Sequence, residues 1–91
     1  MHRLYILIFI LFGCSSTLPD ESLSLAEHLK LGMDYLDEEE FVKAQDEFKF
    51  VLSRGTGTDY GDDAQFFLAE SYFLNKQYML SIAEYESLTR K

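Results

Sequence analysis

Apolar residues follow two different patterns along this chain. Leu4–Phe12 is an unbroken apolar run, whereas apolar residues after about position 24 recur at intervals of three and four. Such intervals place side chains on one face of an α-helix, so the later part of the chain predicts amphipathic helices. The pattern therefore divides the chain into a short N-terminal segment and an all-α body.

Four helices are predicted in the body. Their apolar faces carry, in chain order, Leu25, Leu29, Leu31, Tyr35 and Leu36; Phe41, Ala44, Phe48, Val51 and Leu52; Phe66, Phe67, Leu68, Ala69, Tyr72 and Phe73; and Tyr78, Ile82, Tyr85 and Leu88. Ser24 and Glu27 match a capping box, which predicts a helix start near Leu25. We expect Gly55 to end the second helix in the left-handed conformation, and Asp62 or an adjacent aspartate to cap the third.

The body repeats itself at an offset of 37 residues. The offset pairs Leu29 with Phe66, Leu31 with Leu68, Gly32 with Ala69, Tyr35 with Tyr72, Leu36 with Phe73, Phe41 with Tyr78, Ala44 with Ser81, Glu47 with Glu84, Phe48 with Tyr85, and Val51 with Leu88. Residue size and polarity agree across these pairs, which indicates a duplicated unit. We expect two helical hairpins at about residues 25–54 and 62–91, with the acidic run Asp37–Glu40 as the turn of the first.

Leu31, Gly32 and Tyr35, followed by Ala44 and Phe48, resemble the tetratricopeptide pattern L-G-x-x-Y…A-x-x-x-F. The resemblance implies a tetratricopeptide-like helical-hairpin solenoid with two repeats and four helices. Small residues would lie where paired helices approach closely, and aromatic residues would fill the space around them. The residues that this places at the repeat contacts are Leu31, Gly32, Tyr35, Ala44, Phe48, Leu68, Ala69, Tyr72, Ser81 and Tyr85.

The N-terminal segment has the order of a bacterial signal peptide. A basic start containing Arg3 precedes the apolar run Leu4–Phe12. Nine residues of helix reach only about 14 Å at about 1.5 Å per residue, and a membrane's hydrocarbon core is about 30 Å thick. The run therefore predicts the apolar region of a signal peptide rather than a transmembrane helix. Cys14, the single cysteine, follows this run, so the chain has no internal disulfide.

Leu11-Phe12-Gly13-Cys14 resembles the lipobox of bacterial lipoproteins, in which the cysteine is lipidated and becomes the first residue of the mature protein. Phe12 departs from that pattern, because a smaller residue is usual there and its size bears on cleavage efficiency. The alternative for Cys14 is a buried core thiol, but no amphipathic pattern flanks it.

The lipobox resemblance implies three parts of the chain. Residues 1–13 would be the signal peptide, residues 14–23 the lipidated cysteine with a polar tether, and residues 24–91 the two repeats. By resemblance to enteric lipoproteins, Ser15 in place of aspartate after the cysteine implies a lipid anchor in the outer membrane, with the protein on the periplasmic face.

The net charge and the side chains present argue against several classes of function. The chain has 16 acidic and 8 basic residues, a formal net charge of -8, and nucleic-acid binders need a basic surface. His2 and His28 lack the spaced partners of a zinc site, so we expect no metal and no cofactor apart from the covalent lipid on Cys14. Nucleophile, base and orienting residue do not occur together in the sequence, so we expect neither an enzyme nor a small-molecule substrate.

The lipobox, the tether and the long-looped repeats together resemble the BamD family of outer-membrane assembly lipoproteins. Gly61–Lys91 carries the order D-A-x-x-x-L-A-x-S-Y-F followed by Y-x-x-S-I-x-E-Y, which is characteristic of that family. The resemblance implies a scaffold that works with a BamA-like barrel insertase and binds unfolded outer-membrane precursors. The family's solenoid is longer, so the chain would be either an N-terminal fragment of a longer protein or an unusually short relative. The fragment is favoured, because solenoids generally need at least three repeats and a capping end.

Repeat geometry predicts a peptide-binding groove along the first helix of each hairpin. Its candidate residues are Leu29, Met33, Leu36, Phe66, Glu70 and Phe73. In an alternative interpretation the leucines and phenylalanines pack adjacent helices, which leaves Met33 and Glu70 as the main groove candidates. A second functional interpretation is another periplasmic repeat adaptor, of the Tol-associated or peptidoglycan-associated type, which needs no lipid anchor.

Overall fold

The computed structural model describes residues 22–90, and these residues form four α-helices without any strand. In chain order they are α1 (Leu25–Asp37), α2 (Phe41–Arg54), α3 (Asp59–Leu74) and α4 (Tyr78–Thr89). Consecutive helices pack against each other, and α1 also contacts α3. This is the arrangement of two stacked helical hairpins, so the predicted all-α hairpin fold is confirmed.

The predicted signal peptide and lipidation site fall outside the described residues. Residues 1–13 and Cys14 both precede Ser22, the first residue that the structure describes. The lipobox therefore stays a prediction from sequence.

The predicted capping box at the start of α1 is present. The Ser24 hydroxyl accepts a hydrogen bond from the Glu27 N–H at 3.1 Å, and the Glu27 carboxylate accepts one from the Ser24 N–H at 3.0 Å. These bonds satisfy N–H groups that the first helical turn leaves without intrahelical partners. The bond from the Ser24 backbone also lowers the pKa of Glu27, because it favours the ionised carboxylate.

The turns inside the two hairpins have the same conformation. Glu39 and Lys76, which are 37 positions apart, both have left-handed backbones, with φ of 61° and 64°. The residue after each, Glu40 or Gln77, donates its N–H to the carbonyl five positions earlier at 2.8 Å. The duplication therefore extends from side-chain pattern to backbone hydrogen bonding.

Two predictions for the loop between the hairpins are wrong. The cap of α3 is Thr58 rather than Asp62, and its hydroxyl accepts from the N–H of Gly61 at 3.3 Å. Gly55 has an ordinary φ of -107°, whereas Gly57 has a φ of 84°. The left-handed step therefore lies two residues later than predicted.

The third helix, α3, begins at Asp59, earlier than the start near residue 62 that the sequence predicts. A close backbone contact explains the difference. A Cβ atom on Gly61 would overlap the carbonyl oxygen of Gly55, so the end of α2 and the first turn of α3 meet without any side chain between them. Starting at Asp59 places Gly61 inside that first turn, where it allows this approach.

The hydrophobic core lies between the hairpins. Its buried cluster consists of Ala44, Phe48, Val51, Ala64, Leu68 and Tyr72, with Leu29, Tyr35, Leu36, Leu52 and Phe67 packed against it. The buried residues come from α2 and α3, so one core joins the two repeats. A Cβ atom on Gly32 would lie 2.6 Å from the Phe48 ring, which explains the small residue at this point of α1.

Candidate functional site

Most residues predicted to define the repeat lie at helix contacts. Seven of the ten are buried, namely Gly32, Ala44, Phe48, Leu68, Ala69, Tyr72 and Ser81, and three are half-buried, namely Leu31, Tyr35 and Tyr85. Ser81 shows how a polar residue fits this position, because its hydroxyl donates to the Ala69 carbonyl at 2.9 Å. These residues build the scaffold that positions any binding surface.

A polar link joins the two helices of each hairpin. In the first hairpin, His28 Nδ1 lies 2.6 Å from Glu47 Oε1, with both residues buried. In the second hairpin, Gln65 Nε2 donates to Glu84 Oε2 at 3.2 Å. His28 and Gln65 are 37 positions apart, as are Glu47 and Glu84, so the link is part of the repeat.

Sequence reasoning missed this link because it tested His28 only as a metal ligand. The signal was present in the offset, which pairs Glu47 with Glu84 and places His28 opposite Gln65. His28 also lies against the Phe50 ring, with centroids 4.2 Å apart. The imidazole of α1 therefore contacts two residues of α2.

The predicted groove residues of α1 have two different environments. Leu29 and Leu36 pack against the core cluster, which agrees with the alternative interpretation for these two residues. Met33 is exposed. On α1, Met33 is therefore the groove candidate that an external peptide can reach.

The predicted groove residues of α3 make contacts with α4. The Phe66 and Tyr85 ring centroids are 6.1 Å apart, and those of Phe73 and Tyr78 are 5.4 Å apart. Phe66 and Phe73 nevertheless remain exposed. Glu70 is half-buried, and its carboxylate accepts a hydrogen bond from the Tyr85 hydroxyl. The six predicted residues therefore do not all share one open surface.

The contact between Glu70 and Tyr85 changes the acidity of the phenol. Burial raises the pKa of Tyr85 to about 12, and the hydrogen bond to the Glu70 carboxylate and its negative charge act in the same direction. All three effects favour the neutral phenol over the phenolate. Glu70 therefore already has a hydrogen-bond partner within the second hairpin.

Two absences concern residues 22–90, the part of the chain that the structure describes. Between residues 22 and 90, no group of three or more His, Cys, Asp or Glu side chains is placed to share a metal ion. Within the same range, no helix is both long enough and apolar enough to cross a membrane.

The chain matches no protein-family model, and no curated protein matches it. The resemblance to the BamD family therefore depends on the lipobox-like segment and on the motif order in Gly61–Lys91.

Proposed function

We propose that this chain is a lipid-anchored adaptor of the outer-membrane β-barrel assembly machinery. It would bind unfolded barrel precursors and partner subunits such as a BamA-like insertase. The observation that carries the proposal is the pair of stacked hairpins with matching turns and matching polar links. Stacked hairpins of this kind form solenoids, and solenoids offer extended surfaces to other proteins. The lipobox-like segment Leu11–Cys14 supports the anchor, and the motifs of Gly61–Lys91 support the assignment to barrel assembly.

Met33 is the centre of the proposed precursor surface. It is exposed on α1, the first helix of the first tetratricopeptide-like unit. Methionine side chains are flexible and polarisable, so they adapt to apolar segments of different sequence. An adaptor that receives many different precursors needs this tolerance.

Photo-crosslinking in cells tests the precursor surface. A benzoylphenylalanine at position 33 of the full chain should form adducts with unfolded outer-membrane precursors, because an apolar segment would lie against Met33. The matched control is the same probe at Val42, an exposed apolar residue on α2. Equal adducts at both positions, or none at position 33, would contradict the proposal.

Labelling with palmitate tests the anchor separately. The chain should incorporate the lipid and sediment with outer membranes, and Cys14→Ala should abolish both. A chain that stays free of lipid would favour a periplasmic adaptor without an anchor, of the Tol-associated or peptidoglycan-associated type.

A further inference from the structure

A half-buried carboxylate on α3, that of Glu70, lies beside two aromatic side chains. The Tyr85 hydroxyl of α4 donates a hydrogen bond to Glu70 Oε1. Phe66 lies one helical turn before Glu70 on the same face of α3. The ring centroids of Phe66 and Tyr85 are 6.1 Å apart, in an edge-to-face arrangement. We call these three residues, Phe66, Glu70 and Tyr85, the carboxylate site.

The position of Glu70 in the repeat is open to solvent even where another hairpin packs beside it. Its counterpart is Met33 of α1, 37 positions earlier. Met33 is 39% exposed, although α3 contacts α1 and helps to cover other residues of the first hairpin. The accessibility of this position is therefore a property of the repeat. A further hairpin packed beside the second would leave Glu70 accessible in the same way.

The two hairpins have different chemistry at this position and at the position that contacts it. The first hairpin holds Met33 and Phe48, whereas the second holds Glu70 and Tyr85. Both side chains of the first pair are apolar. In the second pair the phenol supplies a hydrogen-bond donor to the carboxylate. The repeat therefore presents an apolar group on α1 and a negatively charged group, held by its neighbour, on α3.

The carboxylate of Glu70 can accept more than the one hydrogen bond that it receives. An ionised carboxylate has about four acceptor positions on its two oxygens, and the Tyr85 hydroxyl occupies one of them. Burial raises the pKa of Tyr85 to about 12, so the phenol keeps its proton at neutral pH and stays a donor. Within residues 22–90, no lysine or arginine forms an ion pair with Glu70. The carboxylate site therefore suits a positively charged ligand.

An arginine side chain matches both the charge and the aromatic surroundings. A cation is attracted by a carboxylate and also by the face of an aromatic ring. The planar guanidinium stacks on aromatic rings while its N–H groups donate to carboxylate oxygens. We propose that the carboxylate site binds an arginine side chain of an extended peptide segment, with an apolar side chain of the same segment against Met33.

The distance between the two helices sets the spacing within the bound segment. Helix α1 contacts α3, and the axes of packed helices are about 8–10 Å apart. An extended chain rises about 3.3 Å per residue, so the apolar residue and the arginine are about three residues apart. A polyproline II conformation has three residues per turn and directs both side chains to the same side.

The source of this segment rests on the proposed function, in which Met33 is the centre of the precursor surface. The segment would then belong to an unfolded outer-membrane precursor. The formal net charge of -8 attracts basic segments of such a precursor over a longer range.

Peptide binding tests the carboxylate site directly. The probe is a fluorescently labelled peptide, Gly-Ser-Gly-Leu-Ser-Ser-Arg-Gly-Ser-Gly, in which leucine and arginine are three residues apart. Titration with the full chain in detergent micelles should raise the fluorescence anisotropy to saturation. The matched control peptide carries citrulline, which has nearly the shape of arginine without its charge. It should bind about tenfold more weakly.

Variants of the chain locate the arginine. Glu70→Gln removes the charge but keeps an acceptor for the Tyr85 hydroxyl, so it should weaken binding of the arginine peptide about tenfold and leave the citrulline peptide unchanged. The matched control is Asp46→Asn, which removes one charge from a half-buried residue of α2 between the exposed Val42 and Lys49. It should change neither peptide's affinity.

A charge exchange gives a second, independent variant. Glu70→Lys should abolish the preference for the arginine peptide, and a peptide with glutamate in place of arginine should then bind better than the original probe. Circular dichroism should show the same helical fold in all variants.

Three outcomes would overturn the proposal. Absence of saturable binding, or equal binding of the arginine and citrulline peptides, would show that the site does not recognise the cation. Equal losses with Glu70→Gln and Asp46→Asn would reduce the effect to net charge. Equal losses of both peptides with Glu70→Gln would assign Glu70 a purely structural role.

The proposed function fails or stands on a different measurement. Precursor adducts at position 33 together with any of these three outcomes would leave the adaptor proposal intact and remove the arginine site. Charge-dependent peptide binding without such adducts would support the arginine site and contradict precursors as its ligand.

Discussion

Phe48 in the first hairpin is completely buried, whereas Tyr85, its counterpart 37 residues later, is only half-buried. The backbones around them match, including the left-handed turns at Glu39 and Lys76. The difference comes from their neighbours, because α3 covers α2 whereas no described helix covers α4 in the same way. In a repeat protein each unit determines its own local fold, but the neighbouring units determine how far its side chains are buried.

The two polar links likewise have matching partners in both hairpins but differ in burial. His28 and Glu47 are both buried, whereas Glu84, which pairs with Gln65, is half-buried. A buried carboxylate depends strongly on its partner, and a partly hydrated one depends on it less. The first hairpin should therefore be the more sensitive of the two to substitution.

The largest expected difference between the hairpins is at the aromatic counterparts. Phe48→Ala should lower the free energy of unfolding by about 3–5 kcal/mol, because it leaves a cavity in the shared core. Tyr85→Ala should cost clearly less, because part of the Tyr85 ring already contacts water. Urea denaturation followed by circular dichroism measures both values, and equal losses would show that the two hairpins are equivalent in packing.

The buried link gives the next largest effect. His28→Ala should cost about 3 kcal/mol, because it leaves the Glu47 carboxylate buried without its partner. His28→Gln should cost much less, since glutamine makes the corresponding link in the second hairpin. Thermal unfolding of the two variants compares them, and similar losses would show that the hydrogen bond to Glu47 contributes little.

A smaller loss of stability is expected at the close contact between α1 and α2 in the first hairpin. Gly32→Ala should destabilise the chain by about 1–2 kcal/mol, because the added methyl group meets the buried Phe48 ring and this overpacking exceeds the helix-propensity gain. The reciprocal change Ala69→Gly should cost about 1 kcal/mol through helix propensity. If Gly32→Ala stabilised the chain instead, the Phe48 ring would have to shift without strain.

The smallest expected effect is a pH dependence of the second hairpin. The pKa of Tyr85 is about 12 in the folded chain against an ordinary value of 10.0 for a tyrosine side chain, so the folded state favours the protonated form. This contribution to stability is complete below about pH 10 and is lost as the pH rises through about 12. Ultraviolet titration should show one late-ionising tyrosine that Tyr85→Phe removes. Glu70→Gln should lower its pKa, and an unchanged titration would exclude the Glu70 contact as a cause.

Features with a local cause were predictable from sequence. Ser24 and Glu27 lie three residues apart and cap α1 through contacts within a single turn, so their spacing alone revealed them. The offset of 37 predicted the hairpins because side-chain size at paired helices repeats with the unit. Neither inference required knowledge of which distant residues are in contact.

Features that depend on a choice between two suitable residues, or on contacts between residues far apart in the chain, were not predictable from the sequence. Thr58 and Asp62 are both good capping residues, and the contact of Gly61 with Gly55 favours the earlier one. The left-handed turns at Glu39 and Lys76 contain no glycine that would reveal them. Glu70 looked free for a ligand because its bond to Tyr85 spans 15 residues.

The charged outer surface of α1 has a consequence for assembly. Head-to-tail contacts between identical copies produce open filaments when the rotation between them does not close, and a solenoid with two apolar ends is prone to such growth. Here Glu27, Lys30 and Asp34 are exposed and make the outer surface of α1 hydrophilic. Identical copies therefore gain little by stacking on α1, because its charges would have to leave water, and head-to-tail growth through this helix is disfavoured.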